Sequence, residues 1–393
     1  MTWEAVRIRD VATFLMGQAP PGAEVNDVGI GTPFFRSGEF EDIRPKVVAW
    51  TTKPLRLALP TDVFVCVVGA NAGEVNRGAD GAIGRSIGAV RAGKDLDSDF
   101  LYYFLRSIET YLRNAAQGSA QPVISKDDLG RIELFLPPLA EQRAIAGVLG
   151  ALDDKIESNR RLIDVAKELI AVEFVRTLES AEGDRRFTDL YSRADRVVQT
   201  GPFGSNLHAS DYEDQGTPLI LVKHVLDGEI ALTGLPLIGE EKVTELASYR
   251  VMANDIVLTR VGRIGDAALV PQVQEGWLIS GQMLRMRMPK GSVIPSWLTQ
   301  WFLGAAFLER IAGYSVGSTR MSLSTGILME VPFPNVPVQI QRDFDEETSP
   351  LRERVTKARA ENLALSGIRD ALLPELLSGR LRVKDAESMM EDL

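Results

Sequence analysis

The sequence predicts an α/β (α+β) protein: two similar globular units and an antiparallel coiled coil of two long helices, related by an internal pseudo-two-fold. Three observations predict this. The 393-residue chain is too long for one ordinary hydrophobic core. Offset by 199 residues, "QGSAQPVISKDDLGRIELFLPPLAEQR" lies without a gap over "VGSTRMSLSTGILMEVPFPNVPVQIQR". That alignment pairs Gly118 with Gly317, Ser125 with Ser324, Leu129 with Leu328, Pro138 with Pro337 and Gln142-Arg143 with Gln341-Arg342. Weaker matches keep the same order upstream: "GTPFFR" with "GTPLIL", "PTDVFVCVVG" with "ANDIVLTRVG", and "DFLYYFLRS" with "PSWLTQWFLG".

Each copy reads alike along its length. Short β-branched runs bounded by Gly, Pro, Asn or Asp predict strands at 63–69, 86–91 and 131–136, then at 218–223, 255–261 and 283–288. An aromatic helix is expected at 99–114 and again at 295–312, followed by a Gly-Ser loop, a strand ending in proline and a long helix. Pro137-Pro138 and Pro337 suit a helix start, because proline is tolerated only in the first turn. The expected boundaries are 1–136 and 181–336 for the units, 137–180 and 337–380 for the helices, and 381–393 for a tail.

The long helices carry a seam rather than a broad apolar stripe. Ile145, Leu149, Leu152, Ile156, Asn159, Ile163, Ala166 and Ile170 alternate four and three apart, the heptad spacing of a coiled coil. Leu351, Val355, Ala358, Asn362 and Leu365 repeat it, continuing less cleanly through Ile368, Leu372 and Leu376. A seam amide needs a partner, and antiparallel helices aligned at their midpoints would bring Asn159 to Asn362; the alternative is two polar residues at a seam edge. About 28 residues of seam would make a spacer on the order of 40 Å, close to the roughly 34–36 Å between half-sites one DNA turn apart.

Composition narrows the function. A 45% hydrophobic, 25% charged chain is soluble and globular, and the longest apolar run, "VFVCVVGA" at 63–70, is too short for a membrane span. With a single cysteine, Cys66, read as a buried strand residue, and no signal stretch, a cytoplasmic location is expected. The net charge of −10 argues against a simple basic nucleic-acid binder, although no segment is strongly acidic.

Catalytic constellations are not apparent. "GADGAIGRS" has the wrong glycine spacing for a phosphate loop, with Arg85 where lysine is required. "DDK" (153–155) and "EEK" (240–242) mimic half a nuclease site, but the first lies on the long helix, where a solvated charge face is the plain reading. His208 and His224 alone cannot make a zinc site.

Residues suited to grip DNA are those with paired donors on loops. In the first copy these are Arg36, Asn71, Arg77 and Arg85. In the second they are Ser205, Asn206, Lys223, His224, Arg260 and Arg263, with a tight turn capped by Asn206 as the alternative for 200–210. Gln121 and Arg320 occupy matching places in the two Gly-Ser loops. For each, an exposed solvated side chain is the competing expectation.

Three stretches give the chain a resemblance: "LFLPPLAEQRAIAGVLGALDDKIESNRRL" (134–162), "TGPFGSNL" (200–207) and "LPELLSGRLRV" (373–383). They resemble the specificity subunit of type I restriction–modification systems, and the order unit, helix, unit, helix extends the likeness over essentially the whole chain. The resemblance implies that each unit is a target-recognition domain for half of a split duplex DNA sequence. It also implies that the helices form the coiled coil, and that the chain has no catalysis or cofactor of its own. Its implied partners are two methyltransferase subunits using S-adenosylmethionine on adenine, and restriction motor subunits using ATP and Mg. The second helix departs from the pattern, "VPVQIQRDFDEE" keeping only Pro337, Gln341 and Arg342, so equal docking by both helices does not follow. An enzyme carrying its own site, and a defence-system scaffold whose units bind protein, are the competing classes.

Overall fold

A computed structural model describes residues 3–41, 43–116, 123–202, 206–314 and 322–391. The chain forms two compact units, residues 1–160 with 361–393, and residues 161–360. Their strand plans correspond. In the first unit a four-stranded sheet runs Ala12–Met16, Ile87–Ala92, Asp62–Cys66, Val75–Arg77, all antiparallel. In the second the order is Val198–Thr200, Met283–Met286, Ile256–Thr259, Ala267–Leu269. Beside each lies one parallel pair, Thr32–Phe35 with Gly81–Ile83 and Thr217–Ile220 with Leu278–Ile279. The aligned segments "PTDVFVCVVG" and "ANDIVLTRVG" thus form the same central strand.

Repeated chemistry holds the copies in the same shape. Asp62 and Asp255 are buried at the start of that strand, each accepting a backbone N–H three residues back, from Leu59 (2.9 Å) and Met252 (2.8 Å). Opposite each, an arginine closes a bidentate pair, Arg91 on Asp62 (2.7 and 2.9 Å) and Arg287 on Asp255 (2.7 and 2.6 Å). A buried carboxylate is tolerable only with such partners. Ser125 and Ser324, matched in the repeat, both cap short helices through their hydroxyls.

The aromatic helices break where one continuous helix was expected, into Ser98–Ser107 and Glu109–Ala116, and into Pro295–Leu303 and Ala305–Gly313. Gly304 leaves helical geometry with ψ of 148°, and Ile108 stops the first with ψ of 14°. Cys66 ends its strand fully buried, and that burial pushes the thiol up to about 12.

The long helices run Leu139–Leu178 and Val338–Leu377. Within the first unit, Ile145, Leu149, Leu152 and Ile156 are buried, with Leu372 and Leu376 of the second helix. The Nδ2 group of Asn159 donates to Oδ1 of Asn362 at 2.9 Å and to Glu361 at 2.9 Å, and Asn362 donates to the Ile156 carbonyl at 3.3 Å. Within the second unit, Ile163 and Ala166 pack on Val355 and Ala358, with Leu351 and Leu162 beside them. Leu365 is half-buried. Partner numbers fall as the first helix rises, so the pairing is antiparallel.

The helices are more than a strut, because their ends belong to the cores. Ile145 to Leu152 and Leu372 to Leu376 pack with Phe100, Leu101 and Tyr102. Ile170, Phe174 and Phe344 pack with Trp297 and Phe302. Here the solvated charge face expected of "DDK" needs correction: Asp154 and Lys155 are exposed, but Asp153 is buried. It accepts from Arg369 (2.8 Å) and from the Tyr103 hydroxyl (2.8 Å). Burial alone would weaken the Arg369 proton, but the Asp153 carboxylate outweighs it and holds the guanidinium above its ordinary pKa.

Candidate nucleic-acid interface

The parallel strand pair in each unit defines an end where its two carboxyl termini open into loops, the usual place for ligands in sheets with parallel strands. In the first unit Phe35 pairs with Ile83, and the Gly84 N–H donates to the Phe35 carbonyl at 2.9 Å. Arg36 and Arg85 follow immediately and are exposed. Arg36 is tied to Glu39 at 2.6 Å. Among the described residues, Arg85 has no polar side-chain partner. Asn71 does not face outward freely: its amide donates to the Ser37 carbonyl at 3.2 Å, anchoring the 36–39 turn.

That turn is braced the same way in both copies, by different residues. In the first, the Glu39 carboxylate accepts the Arg36 N–H at 2.8 Å. In the second, Nδ1 of His224 accepts the Leu221 N–H at 3.1 Å, which assigns the ring proton to Nε2, facing the Gly234 carbonyl at 3.1 Å. With both nitrogens used and only 5% of its surface exposed, His224 is a brace and not a DNA contact. Burial, reinforced by the charge of Lys223, pushes it below the ordinary imidazole value. Arg77 needs the same correction. Its side chain is 14% exposed, pairs with Asp99, donates to Tyr103 at 3.1 Å and lies 4.5 Å over the Tyr102 ring.

In the second unit the strand ends, with Pro202, Leu207 and Tyr212, surround an open cavity of about 950 Å³. Lys223, Arg263 and Gln282 give it polar lining. Arg263 is held by Asp266 (2.9 Å) and the Val225 carbonyl (2.7 Å), whereas Lys223 is exposed and, among the described residues, unpaired. Arg260 is half-buried, and among the described residues its Nε is enclosed without a partner. Asn206 is exposed. Gln121, Ser205 and Arg320 lie outside the described residues.

The glycine-bounded turns beside both sites match. Gly69 and Gly73 have φ of 95° and 99°, Gly262 and Gly265 75° and 92°. A Cβ on Gly73 would come within 2.6 Å of the Arg113 backbone nitrogen, so the turn requires glycine on both counts.

Comparison with known proteins follows the same lines. Residues 1–168 match the family of type I restriction modification DNA specificity domains. The putative type I restriction enzyme MjaX specificity subunit of Methanocaldococcus jannaschii is 37% identical over 164 residues, 40% of this chain and 38% of that protein. The MjaVIII specificity subunit of the same organism is 20% identical over 98% of this chain and 94% of its own length. The chain is similar to type I specificity subunits, most strongly over its first 168 residues. A crystal structure of the type I restriction–modification S subunit from M. genitalium shares the fold, with a TM-score of 0.64, 19% identity and 96% of each chain covered.

Sequence reasoning missed two residues at the first site. The Ile83 N–H donates to the Arg56 carbonyl at 2.9 Å, and the Lys46 N–H to the Glu39 carbonyl at 2.8 Å, bringing both to the end that carries Arg36 and Arg85. A signal was present: residues 43–61 hold Arg44, Lys46, Lys53 and Arg56 and no acidic residue. Gln282, two residues beyond Ser280, was also missed. Among the described residues there is no cluster of three metal-ligating side chains and no helix long and apolar enough to cross a membrane.

Proposed function

We propose that this chain is the DNA sequence-recognition subunit of a type I restriction–modification complex, without catalysis of its own. Each repeat reads one half of a split duplex target. The observation that carries this is the repetition of one site: the same strand ends, the same braced turn and the same glycine-bounded loop, built twice with different side chains at the rim. A duplicated frame with diverged contact residues suits two different half-sites. Bases are distinguished by donors and acceptors in the major groove, and the rim offers arginine, lysine and glutamine for that task.

The long helices, ending in the unit cores, present the surface on which methyltransferase subunits dock. Those partners supply S-adenosylmethionine chemistry on adenine, and restriction subunits supply the ATP- and Mg-dependent motor and nuclease. The relatives' names as specificity subunits of restriction enzymes support this division. The complex with its methyltransferase subunits, offered a random pool of 40-base-pair duplexes, is expected to enrich two short conserved blocks at a fixed separation. Enrichment of one uninterrupted block, or none, contradicts the proposal.

A further inference from the structure

The four cations at the first unit's strand ends have neutral counterparts in the second. The hydrogen-bond frames fix the correspondence without reference to sequence similarity. Arg36 and Leu221 each begin the braced turn, donating their N–H to Glu39 and His224. The Lys46 N–H donates to the Glu39 carbonyl, and the Ala231 N–H to that of His224, both at 2.8 Å. Gly84 donates to Phe35 and Ser280 to Ile220, so Arg85 corresponds to Gly281. Leu57 pairs with Ala82 and Arg250 with Leu278, so Arg56 corresponds to Tyr249.

Arginine, lysine, arginine and arginine therefore face leucine, alanine, tyrosine and glycine. The second unit adds Lys223 at the place of Gly38 and Arg250 at the place of Leu57, and Arg263, tied to Asp266, lines its cavity. Gly281 has no room to differ: a Cβ there would lie 2.3 Å from the Pro202 carbonyl oxygen. Lys46, Arg56 and Arg85 are exposed and, among the described residues, free of ion pairs. Arg36 alone shares its charge with a carboxylate. In a chain of net charge −10, an acid-free stretch delivering two of these cations to one edge is a local exception.

We infer that the two repeats divide the work on DNA unequally. The first unit grips the phosphate backbone through Lys46, Arg56 and Arg85, and the second, neutral at the four matched positions, contributes mainly shape and base-edge contacts. This rests on the DNA-recognition function proposed above and assigns its electrostatic part. Each phosphate neutralised by a cation releases counterions and steepens the fall of log K with log salt by about 0.9.

The test measures that slope for the complex with its methyltransferase subunits on a 30-base-pair duplex of arbitrary sequence. Replacing Lys46, Arg56 and Arg85 together by alanine is expected to reduce the slope by about two to three, with the preferred sequence blocks unchanged. Lys223→Ala should reduce it by at most about one. The converse variant Ala231→Lys, which removes nothing, should raise it by about one. An unchanged slope in the triple variant overturns the inference, as does loss of methyltransferase assembly with DNA binding retained, which would make the patch a protein contact. If the unaltered complex binds no duplex DNA, the recognition function itself fails, and that arm is read before any variant.

Discussion

Gln142 and Gln341 are fully buried and perform one task at two places. The Gln142 carbonyl accepts the Asp97 N–H at 2.7 Å, and its amide donates to Pro137 (2.7 Å) and Asp95 (3.1 Å). Gln341 likewise accepts from Ile294 at 2.9 Å and donates to Val336 at 2.9 Å. Each amide joins the start of a long helix to the start of an aromatic helix, which is why it persists where most of the surrounding pattern has diverged. Gln142→Ala would remove three hydrogen bonds, one of them to the buried Pro137 carbonyl, and should cost about 1–3 kcal/mol. Urea denaturation checks this, and a loss under about 0.5 kcal/mol would contradict it. At the second site, His224 binds fewer protons folded than unfolded, because burial lowers its pKa. Its contribution is therefore complete above about pH 6.5 and is lost as pH falls through the lower folded value. The protection of amides in residues 219–231, measured against their intrinsic exchange rates at each pH, should fall as pH drops below about 6.5 in the wild type and respond less in His224→Gln. Equal pH responses would show that His224 does not titrate as described.

At the scale of elements, the antiparallel seam was legible because heptad spacing is local and each strand of it carried a single asparagine near its middle. Asn159→Leu leaves the Asn362 amide without its side-chain partner and is expected to destabilise by about 1–3 kcal/mol. Asn159→Leu with Asn362→Leu should recover much of that loss, because an apolar pair suits the seam. Additive losses in this double-mutant cycle would show that the two amides are not coupled. The buried pair beside it was not legible. Asp153 reads as one of several surface charges on a helix, and its partners Arg369 and Tyr103 are far away in sequence. Arg369→Met strands the Asp153 carboxylate and should cost about 3–5 kcal/mol, read as a lower urea midpoint. The same limit hid the burial of Arg77 and His224: a cation in a turn-rich stretch looks exposed until the sheet that covers it is known. Arg56 reaches the first site only through nonlocal pairing with Ile83, which no spacing along the chain reveals.

At the scale of the whole molecule, one folding unit has been written twice and its binding rims have diverged while the frame stayed. Frame residues are constrained by buried hydrogen bonds; rim residues are constrained only by what they touch. The repeat, the helices and the central strands could therefore be read from sequence, and the individual contact residues only in part. The most direct measurement is a genome-wide map of methylated adenine in cells carrying this chain with its methyltransferase, compared with cells lacking only this chain. A two-part motif with a constant gap, lost completely when the chain is absent, is the predicted result. Methylation at one contiguous motif, or a pattern unchanged by its removal, would contradict the twin-reader architecture.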